Sequence, residues 1–288
     1  MNIVMKKLIT SLVVCAFVAS ACTKDNGDDT TPPEGEVAVP ELPADPQPDN
    51  TSFRHRILLL QHTGTACPNC PRLASSLKEL SEDQEYAAKY HHVAAHSYNQ
   101  NDPAYSKAAK NLSDPFCNAY PELSFNLTTE NIGLDTSVKT IKEHIDGLHK
   151  ETADAGISAS VHTDGSTIVA NVEIKAAVEN NYRIAAWVLE DNIEGRQDGA
   201  TEEWHHTHHN AIRGFSGSSA NIGIYGEKIG VIGAGKTGGS VLKIDIEEDW
   251  NIENCKVLVL VNGLKDGKYD VINCALCPIG GKTTYNYK

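Results

Sequence analysis

Leu58-Leu59-Leu60-Gln61-His62-Thr63-Gly64-Thr65-Ala66-Cys67-Pro68-Asn69-Cys70-Pro71 is the stretch on which the reading of this chain turns. Leu58, Leu59 and Leu60 make an apolar run of strand length, and Thr63-Gly64 ends it. Pro71 suits the first turn of a helix, where a missing N–H leaves no bond unmade. Leu73, Leu77 and Leu80 then recur at helical spacing. The segment predicts a buried strand, a short loop, two cysteines separated by two residues, and a helix.

That order has a chemical consequence. Cys67 falls just ahead of a helix N-terminus, where orphan N–H groups and the helix dipole stabilise an anion. A thiol so placed loses its proton more readily than a free one. Strand–CxxC–helix is the thioredoxin-type arrangement. Two readings compete. One is thiol–disulfide chemistry, with Cys67 facing solvent as the more reactive sulfur and Cys70 covered by the helix's first turn. The other is an inert staple, as CxxC pairs in exported proteins often are.

The chain that follows extends the pattern. Val93, Ala94 and Ala95 predict a second strand ending at His96. Asp102-Pro103 reads as a helix cap and first residue, with Tyr105, Ala108, Ala109 and Leu112 on the buried side. Leu123 and Phe125 share one face of a strand opened by Pro121, and Val138, Ile141, Ile145 and Leu148 mark an amphipathic helix. In the thioredoxin fold a cis-proline at this point packs against the disulfide, which makes Pro121 the candidate. The alternative is a trans proline opening an edge strand. Cys117 is either a resolving thiol or a buried small residue, and the second is favoured.

Met1 to Cys22 reads as a targeting segment: Lys6 and Lys7, then an apolar run from Leu8 to Val18 too short to span a bilayer. Val18-Ala19-Ser20-Ala21-Cys22 resembles a bacterial lipoprotein cleavage box, which makes Cys22 the expected site of lipidation, palmitate included. Residues 23–52 read as a disordered tether, acidic at Asp25, Asp28 and Asp29 and then rich in proline. The acidic run is similar to surface-export signals of Bacteroidetes lipoproteins. The net charge of −13 argues against nucleic acid or anionic lipid as a partner.

From residue 156 to 283 the pattern alternates. Ile157 to His162, Asp164-Gly165 and Ser166 to Ile174 read as a hairpin. Tyr182 to Leu189 and Leu242, Ile244, Ile246 read as further strands. Val257 to Val261 suits a central strand, and Asp266-Gly267 turns it into Tyr269 to Asn273. Strands without helices between them suggest a β-sandwich. If Asp266-Gly267 closes an antiparallel pair, a disulfide from Cys255 to Cys274 or to Cys277 is expected.

Two features mislead. Gly230-Val231-Ile232-Gly233-Ala234-Gly235-Lys236-Thr237 matches the P-loop pattern, yet Gly238-Gly239 and an alternating strand follow instead of a helix. A glycine-rich loop is the better reading, and no nucleotide or other cofactor is expected. Trp204-His205-His206-Thr207-His208-His209 carries four histidines, of which His206, His208 and His209 are weak metal candidates. No carboxylate or cysteine at metal-site spacing completes a set, so a polar loop or edge strand is preferred.

Several motifs together resemble one family, the Omp-twenty-eight-related outer-membrane lipoproteins of Bacteroidetes. They are the lipobox-like start, Thr63-Gly64 with Cys67-Pro68-Asn69-Cys70-Pro71, and Ala119-Tyr120-Pro121. Further on come Arg183-Ile184-Ala185-Ala186-Trp187-Val188-Leu189-Glu190-Asp191-Asn192-Ile193, His209-Asn210-Ala211-Ile212-Arg213, and Glu253-Asn254-Cys255-Lys256-Val257. The resemblance implies an α/β plus all-β chain: a thioredoxin-like domain at 53–155 followed by an immunoglobulin-like β-sandwich at 156–283. It also implies an outer-membrane lipoprotein exposed at the cell surface. A surface binding or adhesion role, with an unidentified protein or surface ligand as partner, is set against a membrane-anchored thiol–disulfide oxidoreductase using Cys67, Cys70 and Pro121. Against the enzyme, Ala66 stands where a tryptophan usually precedes the thioredoxin cysteine, and no acid lies in Leu58–Leu60.

Overall fold

A computed structural model describes residues 37–128, 132 and 136–288. The targeting segment, Cys22 and the acidic run at Asp25–Asp29 lie outside the described residues. The first half runs β1 (Ile57–Thr63), α1 (Cys70–Glu82), α2 (Gln84–Ala87), β2 (Tyr90–His96), α3 (Lys107–Phe116), β3 (Glu122–Phe125) and α4 (Val138–Leu148). The second half begins with β4 (Ala155–Asp164), β5 (Thr167–Ala176), β6 (Asn180–Glu190), β7 (Ile193–Glu194), β8 (Thr207–His208) and β9 (Ala211–Phe215). It continues with α5 (Ala220–Tyr225), β10 (Glu227–Ile232), β11 (Thr237–Asp245), β12 (Cys255–Lys265), β13 (Lys268–Pro278) and β14 (Lys282–Thr283).

The result is a mixed α/β architecture dominated by sheet. β1 and β2 are parallel, so a crossover must join them, and α1 and α2 supply it. β3 lies antiparallel on the other side of β1. The larger sheet has eight strands in the order β13-β12-β6-β9-β2-β1-β3, with β10 added on β6. Strands of both halves therefore share one sheet. The junction is β2 against β9, where Ala94 faces Ala211 and its N–H donates to the Asn210 carbonyl at 2.8 Å. A second sheet runs β11-β5-β4-β14.

Strand alternation assigns the layers. In β1, Leu58 and Leu60 pack with Ala109 and Leu112 of α3, while Ile57 and Leu59 pack with Leu73 and Leu77 of α1 and with Ile141 of α4. In β6, Ala185, Trp187 and Leu189 face the α3 and α5 side. Tyr182, Ile184, Ala186 and Val188 face Ile157, Val172 and Leu242 of the second sheet. Both faces of β6 and β12 are covered, which is why their sequences are continuous apolar runs instead of alternating ones. On one face of the large sheet, then, α1 and α4 cover one end and the smaller sheet covers the other.

Three sequence expectations change. The helix expected from Asp102-Pro103 begins later, at Lys107, because Ser106 Oγ accepts the Ala109 N–H at 2.9 Å and is the true cap. The hairpin expected on Asp164-Gly165 turns on Gly165-Ser166, since Asp164 pairs with Thr167. The Asp266-Gly267 hairpin forms as expected, both residues at positive φ, but its cysteines stay free. Leu260 faces Cys274 and Val257 faces Cys277, whereas Cys255 has Glu190 opposite it on β6. Cys274 packs on the α3 side, and Cys255 and Cys277 pack toward the smaller sheet. Burial pushes all three thiols up, Cys255 and Cys274 to about 12 and Cys277 to about 11.

Residues 37–52, read from composition as tether, lie against β5 and the end of β4. The Ala38 N–H donates to Asp164, and Asn171 donates to the Pro40 carbonyl at 2.9 Å. Lys175, its side chain 3% exposed, pairs with Asp45 and donates to the Pro48 carbonyl and the Tyr287 hydroxyl, both at 2.8 Å. A buried cation needs such a set of partners. Local composition carries no trace of Lys175, which lies more than a hundred residues downstream.

Candidate functional site

Cys67 and Cys70 form a disulfide, with Cα atoms 5.4 Å apart. The turn holding them is closed by Cys67 N–H to the Gly64 carbonyl (3.0 Å) and Cys70 N–H to the Cys67 carbonyl (3.2 Å). α1 begins at Cys70 with Pro71 in its first turn, as the spacing predicts, and Leu73, Leu77 and Leu80 are buried. The Tyr120–Pro121 bond is cis, and Pro121 opens β3.

The expectation that Cys67 faces solvent fails. Both cysteines are only 1% exposed. The segment between β7 and β8 lies over the turn. The Gln197 amide donates to the carbonyls of Gly64, Thr65 and Cys67 at 3.3, 3.1 and 3.0 Å. Asp198 N–H donates to the Thr65 carbonyl at 2.7 Å. Gly199, at φ +71, passes so close that a Cβ there would lie 2.1 Å from the Pro68 carbonyl oxygen. A glutamine in an aperiodic loop carries no sequence signal, and only the length of the stretch from Asp191 to Glu202, with its two glycines, marks it as functional loop.

A carboxylate from outside the stretch reaches the turn. Asp102 is buried and accepts from Thr65 N–H at 2.7 Å, from His96 Nδ1 at 2.9 Å and from Ala104 N–H at 2.8 Å. Burial alone would raise its pKa. The bonds from His96 and the two backbone N–H groups outweigh it and hold the carboxyl at about 2. Asp102 is thus the strut that fixes the CxxC turn onto β2, and not a helix cap.

The four histidines serve the same covering segment. His205 Nδ1 accepts the Glu202 N–H at 3.3 Å while its Nε2 meets Ser75 Oγ of α1 at 3.1 Å. His206 Nδ1 accepts the Gln197 N–H at 3.0 Å, and His208 Nε2 meets the Gly195 carbonyl at 3.1 Å. His209 Nδ1 accepts the Asn192 N–H at 3.3 Å. Each ring nitrogen in these bonds is taken by a different partner. Among the described residues no three His, Cys, Asp or Glu side chains converge on a metal position.

Between α1, the β1–β2 floor and this segment lies a cavity of about 670 Å³. Cys70, His92, His96, Trp204, His208 and Asn210 are on its wall. Burial lowers His92 and His208 to about 4, so both rings are uncharged at neutral pH; His92 spends Nε2 on Gln61 Oε1 (3.0 Å) and Nδ1 on Asn210 (3.4 Å), and His208 spends Nε2 on the Gly195 carbonyl. Such a wall suits a small ligand with polar groups on an aromatic or apolar body. The remaining sequence candidates stand apart. Cys117, half-buried, donates to the Ala119 carbonyl and is pushed up to about 12 by burial, which makes it a poor nucleophile. The P-loop-like stretch joins β10 of the large sheet to β11 of the small one, with no helix N-terminus to hold phosphate.

No family model matches the chain, and no curated protein matches it. Among solved structures the fold has a match. HBP35 of Porphyromonas gingivalis aligns at a TM-score of 0.65 and 16% identity, covering 80% of this chain and 77% of that one. A domain of the outer membrane lipoprotein Omp28 from the same organism aligns at a TM-score of 0.30 and 17% identity, over 44% of this chain and 89% of the domain. At identities this low the likeness to HBP35 is one of fold, and the Omp28 alignment carries no weight by itself.

Proposed function

We propose that this chain is a lipid-anchored surface protein of the outer membrane, tethered through Cys22, whose scaffold binds a ligand. In this reading residues 53–155 are a thioredoxin-like module and residues 156–283 a β-sandwich, with the larger sheet running through both. The observation that carries the binding reading is the covered disulfide: both sulfurs are buried beneath the Gln197 segment, while a cavity stands open beside them. A thiol exchange reaction needs in-line access to a sulfur, and the covering segment blocks it. The ligand then occupies the cavity walled by His92, Trp204 and His208.

The oxidoreductase reading has its own support in the CxxC at the start of α1 and the cis Tyr120–Pro121 bond. In that reading the reduced pair attacks a partner protein's disulfide through Cys67, and closure of Cys67–Cys70 releases the partner as a dithiol. Treating the folded protein with dithiothreitol, then trapping thiols with iodoacetamide, separates the two. The binding reading expects the Cys67–Cys70 bond to persist in native buffer and to reduce only in denaturant. Rapid native reduction, with Cys67 alkylated well below the free-thiol pKa of ~8.5, would establish the oxidoreductase instead.

A further inference from the structure

A second cavity, of about 410 Å³, opens where the start of β1, the end of β13, β14 and the tail after it come together. Arg54, Arg56 and Lys282 are on its wall, and no Asp or Glu is. This is an unusual place in a chain with 38 acids and 25 bases. Most cations that pack against the body of the protein have found a carboxylate, as Lys89, Lys142, Lys175, Arg213 and Lys256 have. Among the described residues Arg54, Arg56 and Lys282 form no ion pair.

The donors left over are the telling feature. Arg56 uses Nη1 on the carbonyls of Ala88 (2.5 Å) and Ala87 (3.5 Å), and Arg54 uses Nε on the Tyr287 carbonyl (3.1 Å). Those bonds hold the exposed Arg54 and the half-buried Arg56 against the backbone and leave the remaining N–H groups of each without a protein partner among the described residues. Burial, and to a smaller extent the like charge of Arg54, hold Arg56 below its usual pKa. An oxyanion relieves that repulsion and matches the planar fork geometry of guanidinium. Thr284 and Asn286, on the same wall, add neutral polar groups.

We propose that this cavity is a binding site for a phosphate or sulfate ester carried on a sugar-sized body. The ester oxygens sit between Arg54, Arg56 and Lys282, and the body lies toward Thr284 and Asn286. The volume falls within the range of about 300–1,000 Å³ typical of sites for small organic ligands, and exceeds what a bare oxyanion fills. The site is separate from the disulfide and does not depend on how the CxxC is read, although His91 and Leu276 are on the walls of both cavities.

The test is calorimetric titration of the full chain with glucose 6-phosphate, galactose 6-sulfate, inorganic phosphate and glucose at low and high salt. The esters should bind, more weakly as salt rises, and glucose should not. Arg56→Gln and Lys282→Gln should each weaken binding about tenfold, the loss of one charge-assisted contact. Lys282 is exposed, so its variant keeps the fold even if Arg56→Gln does not, and Lys243→Gln, outside the cavity, is the control. Sedimentation with phosphatidylcholine vesicles, with and without phosphatidic acid, tells a lipid-borne ester from a free one. Ester binding unchanged in Lys282→Gln, equal binding of glucose, or inorganic phosphate binding as tightly as the esters would overturn the proposal.

Discussion

Asp102 shows how far a residue's role can differ from its local signature. In sequence, Asp-Pro after a strand is a helix start. In the structure its carboxylate joins Thr65, His96 and Ala104 instead, and the helix waits for Ser106. The cysteines make the same point. Two of the three in the second half share a core face, yet strand register keeps all of them apart, and each thiol bonds to a carbonyl: Cys255 to Asn251, Cys274 to Arg56 and Cys277 to Gly281. Mass mapping after alkylation of the denatured, unreduced protein should therefore find Cys117, Cys255, Cys274 and Cys277 labelled and Cys67–Cys70 linked. A peptide joining Cys255 to Cys277 would show that the β12–β13 register is wrong.

At the scale of an element, the segment between β7 and β8 decides whether the disulfide can react. It is short of apolar anchors and is held by Gln197, Asp198 and the histidine rings. Gly199 is its tightest point. Gly199→Ala puts a methyl group against the Pro68 carbonyl at a positive φ that alanine resists, so the segment must lift. The expected result is native-state reduction of Cys67–Cys70 by dithiothreitol about tenfold faster than in the parent, with a stability loss of about 1–3 kcal/mol. Unchanged reduction kinetics would mean that something other than this segment protects the sulfurs.

At the scale of the whole molecule, buried histidines make the fold acid-labile. His55, His62 and His208 are buried, and burial is the first cause that lowers each to about 4. In the unfolded chain each titrates near ~6.5. Between those values the unfolded state binds more protons, so stability is fully present above pH ~6.5 and is lost as pH falls toward 4. Asp102, held at about 2, adds a further loss at lower pH in the same direction. Urea unfolding from pH 7 to 4.5 should show stability falling by up to about 1.4 kcal/mol per pH unit for each histidine. His62, 0% exposed and bonded to Ser113 and Ser124, gives the cleanest check. His62→Gln should flatten the slope by up to one proton, and an unchanged slope would mean that His62 is charged in the fold.

The elements were legible because their causes are local. Leucines at helical spacing after Pro71, Leu123 and Phe125 after Pro121, and the Asp266-Gly267 turn each announce themselves within a few residues, and each stands where the pattern put it. The continuous apolar runs at Leu58 and Val257 likewise announced strands buried on both faces. What joins these elements was not legible. Lys175 gathers residues 45–50 against β5, β9 joins the two halves of the large sheet, and Gln197 covers a turn more than a hundred residues before it. These contacts rest on single polar groups whose partners are distant in sequence and become neighbours only after the core has closed. A hydrophobic pattern repeats and so can be read in one dimension. A lone hydrogen bond across the fold has no period, and only the tertiary structure decides it.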